Sequence, residues 1–384
     1  MDYFLDDFQK ELVATARRIG KEKIKPVAAE YDLNGTFPHD LVKIFADAGF
    51  YSLYHPEEYG GLGRGVLDLV LVTEELSKFC GGISLAVAAT ALGSFPIILS
   101  GSDEQKQKYL PDLAAGKHLA AFCLTEASAG SDAGSIKTKA EKKGDKYVLN
   151  GSKVFITNGG NAGIYTVIAS TDPDKGTRGT SAFIVEEGTP GLKVGKYEDK
   201  MGIRASSTAE MVFEDCEVPE ENLIGRVGAG FAVAMKTLDR SRPGVAAQAL
   251  GIGQGALDMA LEYAKTREQF GQSIIQFQAL QFMLADMSMK AEAARALVYQ
   301  TARMIDAGLS ASKESAMCKV VASDMAMEVS TDAVQVFGGY GYMRDYPVEK
   351  FMRDAKITQI YEGTNQILRM VVARHLIKEI GKVS

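Results

Sequence analysis

Apolar positions along this chain change their spacing twice. Residues 10–25 are rich in Ala, Arg, Lys, Glu and Ile, which favour helix. Pro38-His39-Asp40 opens a second helix over residues 41–48, with proline near the start, where its missing N–H is not needed. Tyr59 to Gly65 reads as a loop from its glycines. Ser102-Asp103-Glu104-Gln105 has capping-box spacing, which predicts a helix through residues 107–113. Residues 79–102 carry no charge and are long enough to span a membrane. Gly81, Gly82, Gly93, Gly101, Ser84, Ser94 and Pro96 lie in that run, and with its many alanines they favour a helix buried in protein.

Near Leu119 the pattern becomes short and alternating. Residues 146–149, Asn150-Gly151 and residues 152–157 predict a hairpin, because Asn-Gly tolerates the positive φ of a tight turn. Residues 165–169, 181–185 and 209–213 predict further strands, ending near Pro219 to Asn222. From Gly230 the pattern is helical again, over residues 231–238, 245–266, 277–307 and 312–337. Four long helices with short links suggest a bundle. The expected class is α+β, with an N-terminal helical domain (residues 1–119), a middle β domain (120–228) and a C-terminal helical bundle (229–384).

Composition narrows the function. The hydrophobic fraction is 46% and the charged fraction 24%, as in ordinary globular proteins. A net charge of -6 gives no basic excess for nucleic acid. Cys80, Cys123, Cys216 and Cys318 are scattered, as are His39, His55, His118 and His375, so neither a metal site nor a disulfide framework is expected. The acidic start MDYFLDDFQKEL does not resemble a signal peptide, and a reduced cytoplasmic compartment is the expectation.

Several motifs remain. Gly251-Ile252-Gly253-Gln254-Gly255-Ala256 fits a loose dinucleotide pattern but lies within a helical run, without the strand such a turn needs. Gly338-Gly339-Tyr340-Gly341-Tyr342 is a glycine-rich link between helices without the Lys-Ser/Thr of a phosphate loop. Thr125 to Asp132 follows a strand-like run with small and hydroxyl side chains. It is either an ordinary Ser/Gly turn or a cradle for a polar ring or phosphate. Glu362 follows an apolar-aromatic pair and precedes Gly363. It is either a solvated side chain or, in a poorly solvated pocket, a base of raised pKa.

Together these segments resemble the acyl-CoA dehydrogenase family. The resemblance rests on Leu124-Thr125-Glu126 through Gly130-Ser131-Asp132 and on Asn150-Gly151-Ser152-Lys153 through Phe155-Ile156-Thr157-Asn158. Arg267 through Phe270-Gly271, Gln335 through Gly341, and Met352-Arg353-Asp354 through Tyr361-Glu362-Gly363-Thr364 complete it. It implies N-terminal helices, a middle β-barrel or sandwich and a C-terminal four-helix bundle. It also implies FAD between the β domain and the bundle, reaching a second subunit of a homotetramer. Phe122, Leu124, Thr125, Gly130, Ser131, Phe155, Ile156 and Thr157 would hold the flavin ring. Arg267, Phe270, Gln278, Gln335, Val336, Gly338 and Gly339 would hold the pyrophosphate and adenosine of the neighbouring subunit's cofactor. Thr364 and Gln366 would close over the pyrophosphate, and Ser131, Asp239, Arg242 and Gly363 would contact the acyl-CoA substrate. Ala127 stands where the family usually has proline, without loss of a hydrogen-bonding group.

By the same resemblance Glu362 is the base that removes the α-proton. Some relatives place the base before the arginine matching Arg242, but here that position is Ser241. Electrons would pass to electron-transfer flavoprotein. An acyl-CoA oxidase of the same fold and a non-catalytic acyl-CoA binding protein are the alternatives. The helix over residues 83–96 would floor the acyl pocket. Ile83 stands where glutaryl-specific relatives carry arginine, so a neutral acyl group is expected, butyryl-sized or alicyclic, with Ala86, Ala88, Ala89 and Ala91 leaving lateral room.

Overall fold

The computed structural model describes residues 3–381. The first helices are α1 (Asp7–Ile19), α2 (Ala28–Asn34), α3 (His39–Asp47), α4 (Val66–Ser77), α5 (Gly81–Ser100) and α6 (Asp103–Ala114). The capping box at α6 is present: Ser102 accepts from the Gln105 amide, and the Gln105 side chain accepts from the Ser102 amide. Helix α5 is apolar and long enough to span a membrane, but most of it is buried within the protein. Its side chains join those of α1, α3 and α4 in one N-terminal core.

Eight strands follow: β1 (Ala120–Cys123), β2 (Lys139–Lys143), β3 (Lys146–Thr157), β4 (Ile164–Ser170), β5 (Thr180–Glu186), β6 (Leu192–Tyr197), β7 (Thr208–Pro219) and β8 (Leu223–Ile224). They form one sheet in the order β6-β7-β3-β2-β4-β5-β8, with β1 beside β4. The β2–β4 junction is a single residue pair, Lys139 and Ser170. The sheet therefore folds over there, and its two halves share a core in which Tyr147 and Phe183 meet at 5.0 Å.

Asn150-Gly151 is not the hairpin turn that its local propensity predicts. Strand β3 runs straight through it, and the turn lies at Gly144-Asp145, with Lys143 paired to Lys146. Asn150-Gly151 instead marks a bulge against β7, where Asn150 Oδ1 accepts from the Asp215 amide at 2.8 Å. Gly151 has φ 147° and lies so close to Thr138 that a Cβ would fall 2.8 Å from its Cα. Glycine serves here for a close approach of chains rather than for reversal.

The C-terminal helices are α7 (Gly230–Thr266), α8 (Gln278–Asp306), α9 (Ser312–Phe337), α10 (Val348–Thr358) and α11 (Asn365–Ile380). The expected segments 231–238 and 245–266 are one helix, continuous through Pro243. Proline there cannot donate to the Asp239 carbonyl, one turn back. The Ser315 hydroxyl from α9 donates to that carbonyl at 2.7 Å instead, which satisfies the freed acceptor. The Gly251 to Ala256 pattern lies inside α7, as expected. A Cβ at Gly251 would stand 2.3 Å from the Glu74 carbonyl, and one at Gly255 2.3 Å from that of Lys78. These glycines let α7 press against α4, and the helices share a core with α8, α9 and α10.

Candidate active site

Glu362 sits in the turn between α10 and α11, with φ 51° in the left-handed region. That conformation is uncommon for a side chain bearing a Cβ and is found at functional sites. The turn is tied down on both sides. The Asn365 amide donates to Gln359 O at 3.0 Å, and Arg242 Nε donates to Glu362 O at 3.3 Å. The Glu362 side chain is half-buried rather than solvated. Ser241 Oγ donates to Glu362 Oε2 at 2.5 Å. Burial pushes this carboxyl above its ordinary range, and Ser241, Arg242 and Lys319 oppose the rise. A carboxylate whose proton affinity is raised in this way is the stronger base when ionised. The Glu362 amide has no protein acceptor among the described residues.

The carboxylate faces a cavity of about 680 Å³ between α5, β1, β3, α7 and the α10–α11 turn. Helices α4 and α5 contribute only Leu69, Leu85, Ala88, Ala89, Leu92 and Phe95 to its wall. Ile83, Ala86 and Ala91 face the N-terminal core instead. Ile83 is thus not on the pocket wall as expected, because the helix presents residues 85, 88, 89, 92 and 95 on that side. At this end Tyr361 donates its hydroxyl to Gln248 Oε1, and Gln248 Nε2 donates to Gly81 O at 2.7 Å. This chain of bonds fixes two side chains of the cavity wall.

Phe122, Leu124, Thr125, Gly130, Ser131, Phe155, Ile156 and Thr157 all line the same cavity. A bulge between Lys153 and Ile156 gives Phe155 a φ of 60° and leaves its ring exposed. Beneath the loop, buried Lys153 donates to Leu124 O at 3.0 Å and to Glu126 Oε1 at 2.7 Å. The Glu126 carboxylate also accepts from the Lys137 and Thr138 amides. Burial works to raise this carboxyl, but Lys153 and the two amides outweigh it and hold it below its ordinary range. The loop is braced this way despite Ala127. The Thr125 and Thr157 hydroxyls face the cavity without a protein hydrogen bond among the described residues. Open polar atoms on a cavity wall suit a planar ring with a polar edge.

Arg242 and Gly363 line this cavity as well. Asp239 does not; it pairs with Arg242 at 2.7 Å. Thr364 and Gln366 also lie off the wall, and Thr364 caps α11 by accepting from the Ile367 amide. Arg267, Val336, Gly338 and Gly339 surround a separate cavity of about 480 Å³, where Arg267 lies over the Tyr340 ring. Phe270 is 94% exposed, and Gln278 and Gln335 are also exposed. A larger cavity of about 1090 Å³ lies between α1 and the bundle. Its carboxylates Glu74 and Glu75 are paired with Arg295, Arg17 and Lys78, so no free base faces it from them.

Sequence reasoning missed the Ser241 bond, the Gln248 bridge and Lys319, a fully buried lysine on α9 that donates to Gly363 O at 2.8 Å. Only Lys319 left a trace in the sequence, as a lone charge in the small-residue run Ser315 to Ser323.

Three family models divide the chain between them. Acyl-CoA dehydrogenase N-terminal, middle and C-terminal domain models match residues 6–117, 121–216 and 228–377. A short-chain specific acyl-CoA dehydrogenase of Clostridium acetobutylicum is 49% identical over 98% of this chain and 100% of its own length. The structure of butyryl-CoA dehydrogenase from Megasphaera elsdenii superposes with a TM-score of 0.96 at 49% identity, covering 98% of this chain and 100% of that one. A chain in a structure described as the electron transferring flavoprotein of Acidaminococcus fermentans gives a TM-score of 0.96 at 54% identity, covering 98% and 99%. The chain belongs to the acyl-CoA dehydrogenase family of FAD-dependent oxidoreductases.

Proposed function

We propose that this enzyme removes the α-proton and the β-hydride of a neutral, short acyl-CoA thioester, with Glu362 as the base. The observation that carries the reading is a carboxylate of raised pKa facing a cavity whose α4 and α5 wall is wholly apolar. FAD would be held by the loop after β1 and by Phe155 to Thr157, and would supply the acceptor for the β-hydride. Glu362 takes the α-proton. Its own amide, without a protein partner among the described residues, is available to the thioester oxygen, where charge develops as the proton leaves. Arg242 holds the Glu362 backbone from below.

Among the described residues, α4 and α5 bring no cation to the cavity wall for a distal carboxylate, and burying one unpaired would be costly. Nor do α4 and α5 bring a second carboxylate to that wall, so the reaction stops at the 2-enoyl thioester. The Tyr361–Gln248 bridge limits depth and favours a butyryl-sized chain over longer ones. Ala88 and Ala89 leave lateral room, which keeps a cyclohexanecarbonyl group as the second choice. Arg267, the exposed Phe270 and the Gly338-Gly339 loop would hold a neighbouring subunit's cofactor in a homotetramer. The similarity to the Acidaminococcus chain supports electron-transfer flavoprotein as the acceptor. A turnover panel of acyl-CoA thioesters with an artificial one-electron acceptor tests the reading. Butyryl-CoA should lead, and glutaryl-CoA turning over faster than every neutral thioester would overturn it.

A further inference from the structure

The turn that carries Glu362 is held from beneath by a lysine that solvent does not reach. Lys319 lies on α9 and is fully buried. Its Nζ donates to Gly363 O at 2.8 Å and to Asn365 Oδ1 at 3.0 Å. Asn365 extends the connection, donating to Ser323 Oγ at 2.9 Å and Asp324 Oδ1 at 2.8 Å. Gln359, on the other side of the turn, donates to the same Asp324 oxygen at 2.7 Å. The segments before and after Glu362 are thus fastened to one stretch of α9, while Glu362 itself is held in the left-handed region. A buried hydrogen-bonded network fixes geometry in this way.

The ammonium has no carboxylate within ion-pair distance among the described residues. Burial pushes Lys319 down to about 7, Glu362 opposes that by favouring the charged form, and Arg242 adds to it. Other charges face the same region: Asp239 from α7, paired with Arg242, and Asp324 from α9, paired with Arg369 of α11. An apolar side chain would fill the same space without the desolvation cost of a buried ammonium. What lysine adds is a donor to two acceptors beside Glu362 and a positive charge near its carboxylate.

We propose that Lys319 is a positioning residue for the base: it fixes the Gly363–Asn365 segment and thereby the aim of the Glu362 carboxylate, and its charge restrains that carboxylate's proton affinity. This rests on the reading of Glu362 as the base. In its electrostatic part, Lys319 acts in the same direction as Ser241, favouring the ionised carboxylate.

The test uses the FAD-loaded enzyme and the variants Lys319→Met and Lys319→Gln. Infrared pH titration follows the Glu362 carboxyl, identified by the band that vanishes in Glu362→Gln. In Lys319→Met the midpoint should rise by about one pH unit, by the scale of a nearby opposite charge. At neutral pH kcat should fall about tenfold or more while KM stays within about twofold, because only the reacting geometry is disturbed. Lys319→Gln keeps a donor without the charge, so it should recover part of kcat but retain the raised midpoint. A folded, FAD-loaded Lys319→Met or Lys319→Gln with an unmoved midpoint overturns the proposal. If Lys319→Met does not fold, the midpoint of Lys319→Gln decides alone. The infrared readout needs no turnover. Inactivity toward every acyl-CoA would therefore count against the proposed reaction and leave the positioning test standing.

Discussion

Replacing Ser241 with alanine isolates one contribution to the strength of the base. The hydroxyl donates to Glu362 Oε2 at 2.5 Å and opposes the rise that burial imposes on the carboxyl. A hydrogen bond to a charged group contributes about 1.5–3 kcal/mol. Moving a midpoint by one pH unit takes about 1.4 kcal/mol. Even if water recovers part of the bond, the Glu362 midpoint should rise by about one to two pH units. The base works in its ionised form, so its activity is present above that midpoint and lost below it. The rising limb of the pH profile should therefore move to higher pH in Ser241→Ala. On the acid side the rate should fall about tenfold for each pH unit by which the midpoint rises. At high pH the plateau should be equal or higher, because a carboxylate of higher pKa is a stronger base. Anaerobic stopped-flow reduction of the flavin by saturating butyryl-CoA, from acid to alkaline pH, measures this directly. Stability gives a second reading. A carboxyl whose folded pKa is raised binds more protons in the native state than in the unfolded one. Its contribution to stability therefore falls as pH rises from the unfolded midpoint through the folded one. Ser241→Ala should widen that window upward in a pH series of thermal melts. A limb that stays in place or moves to lower pH would refute the assigned role of the hydroxyl.

Two further outcomes follow from the cavity and the exposed loops. Gln248→Ala removes the bridge to Tyr361 and should raise the ratio of hexanoyl-CoA to butyryl-CoA turnover about tenfold, the low end of the scale for one methylene in an apolar pocket; an unchanged ratio in the thioester panel would show that the bridge does not set depth. Arg267→Ala should weaken both FAD retention and assembly, since a ligand held by two subunits stabilises their association. Flavin absorbance and sedimentation check this, and a variant that keeps the assembly state and full flavin content of the unaltered protein contradicts it.

The layout was legible where local rules and tertiary demands agree. The capping box at Ser102, the uncharged run of α5 and the alternating strands near 165–169 and 181–185 all appear where the pattern places them. Asn150-Gly151 misled because its turn propensity is local, whereas β3 pairs along its length with β2 and β7, and that pairing decides the path of the chain. The break expected between residues 238 and 245 is absent because a hydroxyl from α9 satisfies the carbonyl that Pro243 frees, and no sequence window contains both. The expectation of Ile83 on the pocket wall comes from resemblance alone, and an almost uniformly apolar helix has little amphipathic phase against which to check it. The site shows the same division. Glu362 and the residues proposed for the flavin ring stand in contiguous motifs and converge on one cavity. The groups that tune and shape it, Ser241, Gln248 and Lys319, reach it from α7 and α9, far from the turn in sequence. Their roles exist only as tertiary contacts.

The most direct test of the central claim is anaerobic mixing of FAD-loaded Glu362→Gln with butyryl-CoA beside the unaltered enzyme. Glutamine keeps the shape and removes the base. The variant should retain its flavin and bind the thioester, yet reduce flavin about 10²–10⁴-fold more slowly, the contribution of a positioned acid–base group. Near-normal reduction by Glu362→Gln would contradict the assignment of Glu362 as the base.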